Sequence, residues 1–476
     1  MWYAAEAMAD LSVPIGKNVV THGSPFAVVL RLAWPTFFAM LLQSAVNEID
    51  IVFFAKLPAA EASNAQAALL PSLIILWLFG GSLSGIAVGT QAITARRFAE
   101  QRNEDAGAVL FNAAFFAFVG GLVFATVGYV AMDAILGLLI KVDGARESAH
   151  QYLKYRLLGV ISMAVTAAFK AFFDGIGRTH IHLISSVVMN VLNVVLCVLL
   201  IFGTWGFPRM GIGGAGLAAV VSTFVGLGIM LFYALRSDNE AKFKPFRVSN
   251  LSKTLLWSVL KLSIPGAIAT IAVMLGFGMF AWVASKLDEL TPSASGIPVN
   301  MASTTVIVGI LKLTFTGCLA FGTATATLVS QSLGEKAPEK ATMFGWTSVK
   351  LGLIIFGVVG ISEAIFAEPI LHFVAAGDAV QLAALTPLRI MGAVTPIIAV
   401  AMILTQALFG AGDTVFVMIV ELVLHFLCLV PLALALAVWL NFGLIGLWAA
   451  AVIYIVALTI AMSLKFHWGS WKKIKL

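Results

Sequence analysis

Apolar positions along this chain gather into twelve runs of helical length: 26–56, 66–96, 106–138, 148–173, 182–203, 212–236, 254–286, 299–333, 340–373, 382–410, 413–438 and 442–465. A helix needs about 20 apolar residues to cross the hydrocarbon core of a bilayer. Each run therefore predicts one membrane span, and the longer ones must tilt, bend or protrude. The short alternating segments of a membrane β-barrel are missing from the pattern. Glycine pairs at Gly80-Gly81, Gly120-Gly121 and Gly213-Gly214 permit close packing or bending within spans.

The spans form two sets. The longest polar segment, RSDNEAKFKPFRVSNLSK at 236–253, falls between spans 6 and 7. Pro35 and Pro265 sit early in the first span of each half, 230 residues apart. GTQAITARRFAEQRNEDA (89–106) matches ATATLVSQSLGEKAPEKA (324–341) at an offset of 235. FDGIGRT (173–179) matches FGAGDT (409–414) around Gly175 and Gly410, again at 235, and GIGGAG (211–216) matches GLIGLW (443–448) at 232. Four ordered matches with nearly one offset indicate an internal repeat. Six spans per half make that repeat parallel, a layout that transporters use for alternating access. The expected fold is all-α and integral to the membrane, with twelve transmembrane helices in two pseudo-symmetric six-helix bundles. The expected segments are an N-terminal tail (1–24), a first bundle (25–236), a linker (237–253), a second bundle (254–466) and a basic tail (467–476).

Charge sets the expected orientation. Fifteen Lys and Arg residues fall in the loops after spans 2, 4, 6, 8 and 10 and in the C-terminal tail, against seven on the opposite side. By the positive-inside rule both termini are then cytoplasmic, in a cell (inner) membrane. This placement also accounts for the net charge of +6 without nucleic acid as a partner. Composition agrees: 61% of residues are hydrophobic and only 11% charged, with mean hydropathy +1.01. Residues 1–24 lack the basic start, apolar core and cleavage site of a signal peptide. Cys197, Cys318 and Cys428 lie inside apolar spans without CxxC spacing, so neither a disulfide framework nor a metal site is expected.

Polar residues inside spans carry the candidate chemistry, because ionisable groups are costly there and mark pathways by default. The first span, AWPTFFAMLLQSAVNEIDIVFFAKL (33–57), holds Gln43, Asn47 and Asp50 at i, i+4 and i+7, on one helix face. Glu48 points to nearly the opposite side. Such a stripe would present a cation or proton site to a cavity, whereas the bland alternative is an Asp marking the helix end. Asn190 and Asn193 extend a polar face on span 5, unless they serve only to bond between helices. Lys312 in span 8 and Glu421 in span 11 each need a partner, and a structural pair in the second bundle is the favoured reading. His425, one turn after Glu421, reads as a packed histidine. Glu363 and Glu368 read as solvated charges near an outer helix end, and Lys170 as snorkelling. Asp174 and Arg178, four apart, are expected to pair.

The same stretches resemble the multidrug and toxic compound extrusion (MATE) family. LLQSAVNEIDIVFFAKL is similar to the family's opening helix, GIAVGTQAITARRFAEQRNEDA to the end of its second, and MNVLNVVLCVLLIFGTWGFPRMGIGGAGLAAVVS (189–222) to its fifth and sixth. ALFGAGDT (407–414) and GLIGLWAA (443–450) resemble the end of helix 10 and the start of helix 12. The resemblance runs from Phe26 to Phe466. It implies the V-shaped MATE-like fold and makes Asp50 the coupling-ion carboxylate, with Asn193 nearby. One branch of the family has a second Asp four residues after that Asn, where this chain has Cys197. Na+ favours several hard oxygen donors, so the thiol tilts the expectation toward H+, with Na+ at Asp50 and Asn193 as the alternative. Acidic residues that another branch carries in helices 7 and 10 are missing from those spans. The resemblance implies an ion-driven antiporter that exports small organic, cationic or amphipathic compounds, monomeric in the bilayer and without a cofactor. The alternative is a flippase or exporter of a lipid-linked or natural-product precursor on the same fold. HExxH, Walker A and GxSxG motifs are absent, so neither an enzyme nor an ATP-driven pump is expected.

Overall fold

A computed structural model describes residues 24–54, 56–140, 143–291, 298–375, 377–474 and 476, with the side chains at 45–52, 59–60, 63, 66–67, 70 and 138–139 outside that description. The N-terminal tail expected at 1–24 therefore lies, apart from Ser24, outside the described residues. Among those described, eleven helices are long and apolar enough to cross a membrane, or twelve if one bent pair counts as a single span. That pair is the predicted fourth span. Asp143–Arg156 (α5) and Gly159–Gly175 (α6) meet at 49°. The backbone tightens at the junction, where Leu158 N–H reaches Tyr155 and Val160 N–H reaches Leu157, three residues back instead of four.

The first half also contains Pro25–Phe54 (α1), Ala59–Leu76 (α2), Ile86–Ala99 (α3), Asn103–Leu139 (α4), Thr179–Phe202 (α7) and Ile212–Leu235 (α8). A π-helical turn, Trp77–Gly81, and a 3-10 turn, Ser82–Gly85, join α2 to α3. After a short helix, Ser237–Phe243 (α9), the second half contains Lys253–Leu290 (α10), Val299–Gly334 (α11), Pro338–Ile365 (α12), Ala367–Val374 (α13) and Asp378–Ala411 (α14). Thr414–Val423 (α15), Val430–Leu434 (α16) and Gly443–Trp468 (α17) complete it. The predicted ninth span, 340–373, is two helices. Pro369 has no N–H, and its ring opposes the carbonyl of Ile365 four residues back, so α12 stops at Ile365.

Two compact units emerge. The first is built from Pro35–Ala267, the second from Ile268–Leu476 with the described part of Val20–Trp34. Along the chain the divisions fall at Pro35 and two residues after Pro265, the repeated prolines. Inside the first unit α3 packs on α4 and α6, and α6 on α4 and α8. Inside the second, α11 packs on α12 and α14, and α14 on α12 and α17. These are the same four pairings between corresponding spans.

The repeat extends to single close approaches. A Cβ at Gly175 would come within 3.0 Å of the Gln91 carbonyl, and one at Gly410 within 2.6 Å of Ala326 Cα. Both the glycines and their neighbours are 235 positions apart. Gly177 and Gly412, also 235 apart, turn the chain with φ of 77° and 91°, a conformation that strains any side chain but suits glycine. The repeat is thus carried by helix contacts as well as by letters.

The polar segment after α8 is pinned to the first unit. Phe243 is buried and sits 5.4 Å from Phe172, and Phe246 stacks on Phe169 at 6.2 Å. Asn112 of α4 donates to the Asn250 carbonyl at 2.7 Å and accepts from Ser252 N–H at 3.0 Å. Lys244 pairs with Glu104. Aromatic spacing within a charged stretch is what permits this docking.

Candidate functional site

In the first unit α7 carries a buried polar face. Asn190, Asn193 and Cys197 lie at i, i+3 and i+7, on one face, and all three are buried. The Cys197 thiol donates to Asn193 Oδ1 at 3.8 Å. Asn190 Nδ2 is buried without a hydrogen-bond partner among the described residues. A buried amide left open in this way costs about 1–3 kcal/mol unless something polar completes it. Phe53 of α1 meets Phe202 of α7 edge-on at 6.2 Å, joining the last turns of the two helices. Gln43 is exposed on α1. Asn47, Glu48 and Asp50 belong to the helical backbone of α1, but their side chains lie outside the described residues.

A separate cavity of about 510 Å³ opens in this unit, lined by Glu61, Asn64, Glu147, Gln151 and Arg209 among others. Arg209 bridges to Glu61 at 2.8 Å, tying the segment after α7 to the start of α2. The lining comes from Leu57 and the first turns of α2, from α5, and from the segment joining α7 to α8.

The charges around α6 are arranged differently from the sequence expectation. Asp174 is fully buried and pairs with Lys170 at 2.8 Å, one turn earlier, not with Arg178. Arg178 instead donates to Asn239 Oδ1 at 2.5 Å, because the turn at Gly177 carries it away toward α9. Burial holds the Arg178 guanidinium below its ordinary value, while Asp238 pulls the other way. Lys170 accordingly does not snorkel into open water; it is the counter-ion of a buried carboxylate.

In the second unit two buried carboxylates stand out. Glu363 of α12 was expected to be solvated and is not. It accepts from Thr314 of α11 at 2.7 Å and from Thr395 of α14 at 3.0 Å. Both neighbouring helices run on past the end of α12. Gly360 and Gly392 also let α12 and α14 approach so closely that a Cβ on Gly392 would lie 2.8 Å from Ala364 N. Helix ends are solvated only where their neighbours end too. Glu368 is exposed, as expected. Glu421 of α15 is buried and accepts from Tyr454 of α17 at 3.1 Å, with His425 Nδ1 3.3 Å from the same oxygen. Lys312 lies on an exposed stretch of α11. The Tyr454 link escaped sequence reasoning because it joins positions 33 residues apart on different helices. The i, i+4 spacing of Glu421 and His425 was its only local signal. Among the described residues no group of three metal-ligating side chains could hold an ion.

The sequence profile of the MatE family matches this chain twice, over residues 35–199 and 265–435. The two matches begin on Pro35 and Pro265, the offset of 230 read from the sequence. A probable multidrug resistance protein NorM of Thermotoga maritima is 24% identical, over 94% of this chain and 93% of its own length. The fold matches a structure of a multidrug resistance MATE family transporter of the MOP superfamily in an outward-facing conformation. The TM-score is 0.83 at 19% identity, covering 96% of this chain and 98% of that one. It also matches a MOP superfamily transporter of Pyrococcus furiosus, described as having a binding pocket of reversed polarity, with TM-score 0.82, 20% identity and coverage of 96% and 98%. These likenesses make the chain an all-α, multi-pass membrane protein with the MATE fold, among transporters and not enzymes. With the profile covering both halves and the helix pairings repeating inside each unit, the chain belongs to the MatE family.

Proposed function

We propose that this chain is an ion-gradient-driven antiporter that exports small organic compounds, cationic or amphipathic, by alternating access of two helical bundles. The observation that carries the reading is the double family match, one copy in each half of the chain. The relatives named as multidrug resistance proteins supply the substrate class. Coupling is assigned to Asp50 with Asn193, supported on the α7 side by Asn190 and by the buried face they share. H+ is favoured over Na+ because Cys197, fully buried beside Asn193, adds a thiol where a cation site would need a hard oxygen. A gradient does work only if ion and substrate bind the two access states unequally. Protonation near Asp50 is therefore taken to favour the state that releases substrate. The chain is taken to act as a monomer in the inner membrane, with both termini on the cytoplasmic side.

The test uses purified protein in liposomes loaded with a fluorescent organic cation, under a proton or a sodium gradient imposed separately. The proton gradient is expected to drive dye movement, and Asp50→Asn to abolish it. Movement under the sodium gradient alone would reverse the ion assignment. If neither gradient moves dye through a folded protein, the antiporter reading for organic cations is wrong.

A further inference from the structure

Glu421 and His425 share a buried site with Tyr454, and one atom of that site is left over. His425 is fully buried, with Nδ1 2.9 Å from the Glu421 main-chain carbonyl, which can only accept. Nδ1 therefore carries the hydrogen, and Nε2 bears a lone pair. Nε2 is buried and has no hydrogen-bond partner among the described residues. The carboxylate, 5% exposed, receives the Tyr454 hydroxyl at 3.1 Å and lies 3.3 Å from His425 Nδ1. With a neutral imidazole the cluster holds one net negative charge in an almost dry place, which is expensive. One proton, on Nε2 or on the carboxyl, would neutralise it.

The surroundings shape the site for that proton and little else. On their own helix the facing titratable groups are Glu421, His425 and Cys428, and on α17 Tyr454. From α10 the neighbours are Gly276 and Phe277, with no ionisable group. Phe277 meets the imidazole edge-on at 6.1 Å, and a Cβ on Gly276 would lie 2.8 Å from His425 Cγ, so the ring is clamped. One carboxylate and one hydroxyl are too few oxygens for a sodium ion. The backbone at His425 is a π-helical turn, Leu424–Leu429, in which Val430 N–H reaches the His425 carbonyl five residues back. Pro431 follows and cannot donate to Leu427. Such turns recur at functional positions, and here one gives the segment bearing His425 a second way to hydrogen-bond.

We propose that Glu421, His425 and Tyr454 form a proton-binding site within the second unit, and that it loads and releases one proton in the transport cycle. The second part rests on the antiporter reading above; the first does not. Loading takes one proton from water and changes the cluster from a net charge of minus one to zero. Release returns the proton to water and restores the charge.

The test is infrared difference spectroscopy of the full chain in lipid vesicles between acid and alkaline buffers. A pH-dependent band from a carboxyl group or an imidazole ring is expected in the parent, and Glu421→Gln or His425→Asn should remove it. Tyr454→Phe keeps the ring and deletes the donor to the carboxylate. It should move the titration midpoint upward by roughly one pH unit, since the charged form loses a hydrogen bond. Coincident spectra for parent and variants at every pH would overturn the site. If Glu421→Gln and His425→Asn do not fold, Tyr454→Phe decides alone: an unmoved midpoint overturns the proposal. In dye-loaded liposomes Glu421→Gln should slow proton-driven movement at least tenfold; unchanged movement would remove the site from the cycle. A parent that titrates yet moves no dye under any gradient keeps the proton site and refutes only the antiporter reading.

Discussion

Asp174 shows how a single charge is accommodated in this chain. Its carboxylate is fully buried, and the Lys170 ammonium 2.8 Å away supplies the opposite charge from the same helix. Removing one partner of such a pair is far more damaging than never having had it, because the other is left charged in a poor solvent. Lys170→Met is therefore expected to cost about 3 kcal/mol, read as a large fall in thermal midpoint in detergent. Lys170→Met with Asp174→Asn should recover much of that loss. If the double variant is no more stable than the single, the ion pair is not what holds α6 here. The sequence pointed to Arg178 as the partner, since both spacings are i, i+4. Local spacing alone does not choose between them. The left-handed turn at Gly177 does, by sending Arg178 toward Asn239.

At the scale of elements, the apolar runs correspond to eleven membrane-length helices among the described residues, or twelve with the bent pair, and what they missed were breaks within runs. Span 4 bends 49° between Arg156 and Gly159, where the polar α5, with Lys154 and Arg156 in its last turn, gives way to the apolar α6; reading 148–173 as one run passed over that change. Span 9 stops at Ile365 because of Pro369, a signal that was present but sat inside an otherwise continuous apolar run. The burial of Glu363 followed from how far α11 and α14 extend, which no single segment records. Asn190 and Asn193 were legible because helical spacing alone puts them on one face. The repeat was legible too, and it predicts unequal consequences for equal substitutions. A Cβ at Gly175 meets Gln91 O at 3.0 Å, a contact that a small shift relieves, whereas one at Gly410 falls 2.6 Å from Ala326 Cα and 2.7 Å from Ala326 C. Gly410→Ala is expected to destabilise by about 1–3 kcal/mol, as overpacking against backbone does, and Gly175→Ala by visibly less. Thermal unfolding of the two variants checks this. Equal losses would mean that the two packings are not graded as the structure has them.

At the scale of the whole molecule, the repeat and the charge distribution constrain each other. With the proposed six spans per half the chain returns to the side where it started, so one asymmetry in Lys and Arg would orient both halves at once. The basic tail that holds Lys472 and Lys473 should then face the cytoplasm, and the segment after α7, whose Trp205 is 91% exposed, should face outward. Trp205 also has the character of an interfacial aromatic, half apolar and half able to hydrogen-bond. A background in which Cys197, Cys318 and Cys428 are replaced by Ala allows the arrangement to be measured with single cysteines at Trp205→Cys and Lys473→Cys. A membrane-impermeant maleimide should label position 205 in intact cells and position 473 only in inside-out vesicles. The reverse pattern would place the fifteen basic positions outside. Labelling of both positions from one side would require an even number of crossings between them, where the six-span repeat has seven. That outcome would break the six-span repeat on which the alternating-access reading depends, whatever the coupling ion.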